Sequence, residues 1–256
     1  MRSNFLRWRV VASTAVIVLG IVVIKLLVAG FELEFISLSP LFTSVLAGGV
    51  FVLGLIVAGT LADYKEAERV PAEITAALTN IHDDCAAFKQ AFPDFDLERL
   101  EDTEVHIVAS FLDDLAADTD STRTLEAIND LNATFLELDR VGVQATYTSR
   151  LRNEQSALRR HVLRVYHVQR TEFLPSATLL IQAIVAIIIT VLVFMEIEPT
   201  YEAAIILGFI SFFFISLLRL LRIMDRPFHI EERTDDDVSL FLLRNFVDRL
   251  NRSLAP

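Results

Sequence analysis

The sequence predicts an all-α membrane protein in which a helical domain is inserted between two pairs of spanning helices. Three observations predict it. Of its 256 residues 53% are apolar, including 19 Phe, and the mean hydropathy is +0.48, more apolar than a soluble domain of this length requires. Four stretches, 10–31, 41–62, 174–195 and 203–224, reach the ~20 apolar residues that cross a bilayer. Residues 63–173, between the pairs, are too polar to enter lipid. They show no convincing strand-period alternation and no internal repeat, and the whole chain has only eight glycines. The expected domains are 1–62, 63–173, 174–224 and a tail, 225–256.

The first span follows Arg2, Arg7 and Arg9, a basic start like that of a signal peptide. Its apolar run is too long for a signal core and no small-residue cleavage site follows, so it reads as a spanning helix. Lys25 lies inside it, where a charge costs about 2.5–3.5 kcal/mol at a helix centre. Its outer-half position suits snorkelling or a partner such as Glu32; a charged pore lining is the sharper alternative. The second span contains FVLGLIVAGTLADYKEAERVPAEI, from Phe51 to Ile74, where an apolar helix passes without a breaker into a charged one. Ala47, Gly48, Gly54 and Ala58 permit close helix packing. Phe51 and Leu55, four apart, share an apolar face. Thr60, Gln182, Thr190, Ser211 and Ser216 are polar enough to join helices within lipid and mild enough to stay there.

Basic residues set the orientation. The connections 32–40 and 196–202 contain no Lys or Arg, only Glu32, Glu34, Glu196, Glu198 and Glu202, so both termini and 63–173 are expected in the cytosol. The net charge is −11, and only Lys25, Lys65 and Lys89 are lysines among 23 basic residues. Acid-rich, lysine-poor composition suits the cell membrane of a halophilic prokaryote.

The insert divides by charge. Residues 83–139 hold 16 acidic residues against Lys89, Arg99 and Arg123; 140–170 hold seven Arg against Glu154. The halves could complement each other within or between subunits; a solvated acidic surface beside a basic helix near headgroups is the plainer alternative. Val105, Val108, Phe111, Leu112 and Leu115 mark one amphipathic helix, and Leu125, Ile128, Leu131, Phe135 and Leu138 a second. Residues 91–94 and 118–121 read as turns or caps, and a long helix follows over 144–169.

Catalytic signatures such as HExxH, GxSxG, a P-loop or GxGxxG are absent, which argues against an enzyme. No recognition motif accompanies the basic helix, which argues against nucleic acid. The five histidines are scattered, and consecutive His82-Asp83-Asp84-Cys85 point in different directions, as in a solvated segment. Cys85, the single cysteine, reads as a buried or inert thiol. No cofactor is expected, except that Glu231, Asp235, Asp236 and Asp237 offer the hard oxygens calcium prefers; a plain acidic tail explains them equally.

Three patches resemble the bestrophin family: FVLG with Tyr64-Lys65-Glu66 and Pro71; Thr171-Glu172-Phe173-Leu174-Pro175; and Asp225-Arg226-Pro227-Phe228 followed by Asp235-Asp236-Asp237-Val238-Ser239-Leu240. The layout is similar over residues 40–250, and a less characterised bestrophin-like family shares it. The resemblance implies a homopentamer in the bilayer, conducting small inorganic ions passively through a central pore. It places three neck rings at Ala47, Phe51 and Leu55, with smaller first and third residues than the family pattern. Animal bestrophins favour anions and some bacterial ones cations; the family leans the expectation towards chloride. A non-conducting scaffold whose acidic domain binds partners is the alternative.

Overall fold

The computed structural model describes the backbone of residues 2–37, 39–170, 175–225, 227–228 and 237–253; the side chains of 2–10, 41–42, 175–177, 225 and 253 fall outside this description. Eight helices account for nearly all of it: α1 (Arg2–Gly30), α2 (Pro40–Ala91), α3 (Leu97–Ala116), α4 (Thr122–Val141), α5 (Ala145–Arg170), α6 (Pro175–Phe194), α7 (Thr200–Asp225) and α8 (Phe241–Ser253). They form two compact units. The apolar unit comprises residues up to 64 with 172–226 and 234–236, and the polar unit comprises 65–171, 227–233 and 237 onward.

Length and apolarity adequate for crossing a membrane occur in Val11–Gly30, in Thr43–Ala91 and in Thr200–Met224; the apolar part of α6, Thr178–Phe194, is shorter. In the apolar unit α1 packs along α7, and α6 against both. Leu53, Ile181, Val185, Ile188, Leu192, Leu207, Phe214 and Leu221 form its buried core. Small residues set the closest approach. A Cβ on Gly49 would lie 3.2 Å from Ile184 Cγ2, so α2 and α6 meet where any side chain would push them apart.

One element departs from the all-helical expectation. Ile36–Ser37 (β1) pairs in parallel with Met195–Glu196 (β2), Ile36 opposite Met195 and Ser37 opposite Glu196. Two residues a side are too few to show a strand period in sequence. The ladder forms because the two connections run side by side and satisfy each other's backbone groups.

α2 runs 52 residues unbroken, as the Phe51–Ile74 stretch suggests, and continues through Pro71. Proline removes one helical hydrogen bond, and four residues on the Thr75 hydroxyl donates to the Pro71 carbonyl at 2.8 Å. In the polar unit α3 packs on α4, α4 on α5 and α8 on α3. Leu78, Ile81, Leu100, Ile128, Leu131, Phe135, Leu138, Leu151 and Leu158 are fully buried. Asp96 caps α3 by accepting from the Arg99 amide, and Gly142 ends α4 at φ 94°, the left-handed region glycine tolerates best. Ion pairs Arg150–Asp84 and Arg152–Asp139 join the basic stretch to the acidic one within one chain, and Arg164 pairs with Glu66 on α2. Complementarity between the halves is thus partly internal.

Candidate functional site

The sequence places its candidate pore on α2, and the structure divides that helix lengthwise. Leu53 is 2% exposed against α6, and Leu46, Ile56 and Val57 pack on the same core. Ala47, Phe51 and Leu55 lie on the other side, with Phe51 72% and Leu55 65% exposed. At 100° per residue Phe51 points about 160° away from Leu53, so one side of the helix is core and the other has no partner in the chain. Gly48 and Gly54 are also exposed, with nothing within 4 Å of a Cβ placed on either. Their smallness is therefore not used in packing within one chain, whereas that of Gly49 is. The uncovered face is apolar throughout, and the nearby Ser44 hydroxyl is turned back onto the Pro40 carbonyl. Such a face offers an ion nothing in exchange for its hydration.

The acidic candidates separate. Glu231, Asp235 and Asp236 lie outside the described residues, while Asp237 is buried at 9% exposure. Among the described residues no group of three or more His, Cys, Asp or Glu is placed to hold a metal ion. Within the resemblance patches Pro175 opens α6, and the Pro227 carbonyl accepts from the Val238 amide at 2.8 Å; Thr171, Glu172, Phe173, Leu174 and Arg226 lie outside the described residues.

Three buried polar clusters were not assembled from sequence. Lys25 is fully buried and neither snorkels nor pairs with Glu32: its ammonium donates to the Glu34 carboxylate and to the Met195 carbonyl. The chain turns at Glu32, which has φ 54°, and thereby brings Glu34 back over α1. The lysine in an apolar run was the signal; the choice between two glutamates depended on that turn.

The second cluster joins α2 to α3. His82 Nδ1 lies 3.0 Å from Glu104 Oε2, and Nε2 lies 4.0 Å from Glu101 Oε1. Glu104 is completely buried and its Oε1 has no hydrogen-bond partner. Burial pushes the Glu104 carboxyl up to about 7, and the hydrogen bond to Glu104 raises the His82 imidazole above its ordinary value. Burial also pushes the Cys85 thiol up, so it is the inert thiol expected.

The third cluster is centred on Asp114, also completely buried. It accepts from Arg123 Nη2 at 2.7 Å, from the Thr124 amide at 3.2 Å and from the Thr124 hydroxyl at 2.7 Å. Burial alone would raise this carboxyl, but the bonds from Thr124 and Arg123 outweigh it and hold it below the usual range. Tyr166 packs against the cluster, its hydroxyl 3.2 Å from Thr124 Oγ1. The α3 stripe expected from Val105 and Leu112 is accordingly rotated: Glu101, Glu104 and Asp114 share the buried face with Ile107, Val108 and Phe111.

Comparison with solved structures decides the fold. A crystal structure of a bacterial bestrophin homologue from Klebsiella pneumoniae superposes with TM-score 0.78 at 16% identity, covering 94% of this chain and 98% of that one. The fold is that of the bestrophins. A second structure of a Klebsiella pneumoniae bestrophin homologue, with a different single substitution, gives TM-score 0.75 at 17% identity over 96% and 97% of the two chains. A third, phased on zinc, gives 0.74 at 16% over 96% and 97%. No family model matches the sequence, and no curated protein matches it either. The bestrophin fold is thus shared over nearly the whole chain at 16–17% identity.

Proposed function

We propose that the chain forms an oligomeric bestrophin-type channel, a homopentamer in which the uncovered faces of five α2 helices surround the membrane neck of a central pore. The carrying observation is that Ala47, Phe51 and Leu55 stay exposed on the side of α2 opposite its core contacts, in a chain with the bestrophin fold. In this reading α1, the first part of α2, α6 and α7 span the bilayer, and the polar unit and both termini are cytosolic. The reading is supported by the arginine-free connections around Glu34 and Glu198. Phe51, the bulkiest of the three, forms the tightest ring, and an apolar ring gates by shedding water. Transport is passive, and the ion favoured is an anion, on the family resemblance; the acidic outer connections would instead enrich cations at the mouth.

Purified protein in planar bilayers tests this. Unitary currents should appear, their reversal potential in a chloride gradient should assign the sign, and Phe51→Ala should raise conductance or open probability without changing oligomer mass by light scattering. Absence of currents from correctly assembled protein would favour a non-conducting scaffold. If Phe51→Ala dissolves the oligomer and leaves surviving currents unchanged, Phe51 packs between helices and the neck lies elsewhere. Cysteines placed at Glu34 and Glu198 should react with impermeant reagents from outside, and one at Arg123 should not.

A further inference from the structure

Within the polar unit α8 lies beside the later part of α2, leaving a groove of about 770 Å³ lined by Thr75, Thr79, Leu242, Asn245, Phe246, Arg249 and Arg252. The sequence spacing explains why these residues meet. Positions 242, 245, 249 and 252 fall on one side of a helix, as do 75 and 79 on theirs. The lining is of mixed chemistry: two guanidinium groups, the Asn245 amide and the Thr75 and Thr79 hydroxyls, with Leu242 and the buried ring of Phe246 as its apolar part.

Two arginines face it. In a protein of net charge −11, Arg69, Arg123, Arg150, Arg152 and Arg164 are each paired with a carboxylate, while Arg159 and Arg170 donate to the Asn129 amide oxygen and the Asp118 carbonyl. Among the described residues neither Arg249 nor Arg252 has a carboxylate partner. Arg249 donates to the Thr79 hydroxyl at 3.4 Å and stacks over Phe246 with its Cζ 5.4 Å from the ring centroid. Arg252 uses Nε on the Asp248 carbonyl at 3.0 Å. Both guanidinium groups are thus oriented by groups with no net charge, and each keeps donors to spare. Two such forks three residues apart match the several oxygens of a phosphate, and the volume is that of a small-molecule site.

We propose that this groove binds a phosphate monoester with an apolar body, its phosphate between Arg249 and Arg252 and its body against Leu242. A soluble metabolite and a lipid headgroup could both supply this chemistry, and the two can be separated. Isothermal titration of the full-length protein in detergent should show phenyl phosphate binding at least tenfold tighter than inorganic phosphate, because only the former covers Leu242. Arg249→Gln with Arg252→Gln should weaken phenyl phosphate by at least thirtyfold while leaving oligomer mass and circular dichroism unchanged. Dioctanoyl phosphatidic acid binding tighter than phenyl phosphate, with the same loss in the double variant, would identify lipid as the source. Phenyl phosphate binding tighter would identify a soluble ligand. No binding of either probe at 10 mM (about 2.7 kcal/mol of affinity), equal affinity for inorganic phosphate, or unchanged affinity in the double variant would each overturn the assignment. None of these readouts depends on ion conduction.

Discussion

Each unit buries an acid–base pair, and the two pairs are solved differently. In the apolar unit the Lys25 ammonium donates hydrogen bonds to the Glu34 carboxylate and to the Met195 carbonyl. In the polar unit His82 meets Glu104, and Glu104 keeps an oxygen with no partner. The first is an ion pair, and it ties α1 to both connections. The second holds a proton between a carboxyl and an imidazole that are both raised on folding. Asp114 shows that the difference does not come from lipid against water. It lies in the same polar unit as Glu104, is as deeply buried, and is fully supplied with donors. Saturation of the carboxylate, more than its location, decides whether a buried acid stays charged or holds a proton.

The largest expected effect comes from breaking the apolar unit's pair. Lys25→Met leaves Glu34 and the Met195 carbonyl without their donor, and losing one partner of a buried pair costs about 3–5 kcal/mol. Thermal unfolding of the purified protein in detergent should fall accordingly. Lys25→Met with Glu34→Leu should recover more than half the loss, because the stranded charge is then gone. If Lys25→Met alone is neutral, Lys25 is not the clamp described.

Asp114→Asn should come next, at about 2–3 kcal/mol, since it removes the charge that orders Arg123 and both Thr124 donors. Its pH dependence has a definite sign. The folded carboxyl is held below its ordinary value of 3.8, so its contribution is present above that pH and fades as pH falls through the folded value. Acid unfolding should start at higher pH in the variant.

The His82–Glu104 pair should act in the opposite direction. Both groups are raised on folding, Glu104 from 4.5 to about 7 and His82 above 6.5. The folded state therefore holds more protons than the unfolded one in this range, and stability must fall as pH rises. Glu104's share is lost between pH 4.5 and about 7, and His82's as pH passes its raised folded value. Hydrogen exchange of α3 amides from pH 5 to 8 should accelerate beyond the intrinsic base catalysis. Glu104→Gln should flatten that excess, at a cost of about 1–3 kcal/mol near pH 5. A wild-type excess that survives in Glu104→Gln would place the titration elsewhere.

Legibility in the sequence followed the size of the physical signal. Long apolar runs announced α1, α2, α6 and α7, and the unbroken charge-bearing continuation of Phe51–Ile74 announced the 52-residue α2. The divided surface of α2 was half legible: Phe51 and Leu55 could be put on one face, but that Gly49, and not Gly48 or Gly54, meets Ile184 depends on how α6 is rotated. The buried acids were least legible. Glu101 and Glu104 look like solvated charges until the histidine 22 residues earlier in the chain is brought against Glu104, a long-range pairing no local period reports. Glu34 replaced Glu32 as the partner of Lys25 because of one left-handed residue.

The smallest effect expected is the stability change of Phe51→Ala, and it sharpens the comparison within a single helix. Leu53, two residues on, is buried against α6, and its truncation should cost about 2–5 kcal/mol through lost transfer energy and the cavity left behind. Phe51 has no such environment in the chain, and an exposed side chain loses almost nothing on truncation; surface changes usually fall within about 0.5 kcal/mol. If Phe51 faces a water-filled neck, replacing an apolar ring by alanine removes greasy surface from water and the melting temperature should hold or rise slightly. If it packs between neighbouring subunits, the same truncation opens a cavity, and the melting temperature should drop, the drop being larger at the lower protein concentration, as mass action requires of an oligomer. Scanning calorimetry at two protein concentrations separates the cases. A drop of the size seen for Leu53→Ala would move Phe51 from the pore face to a subunit interface.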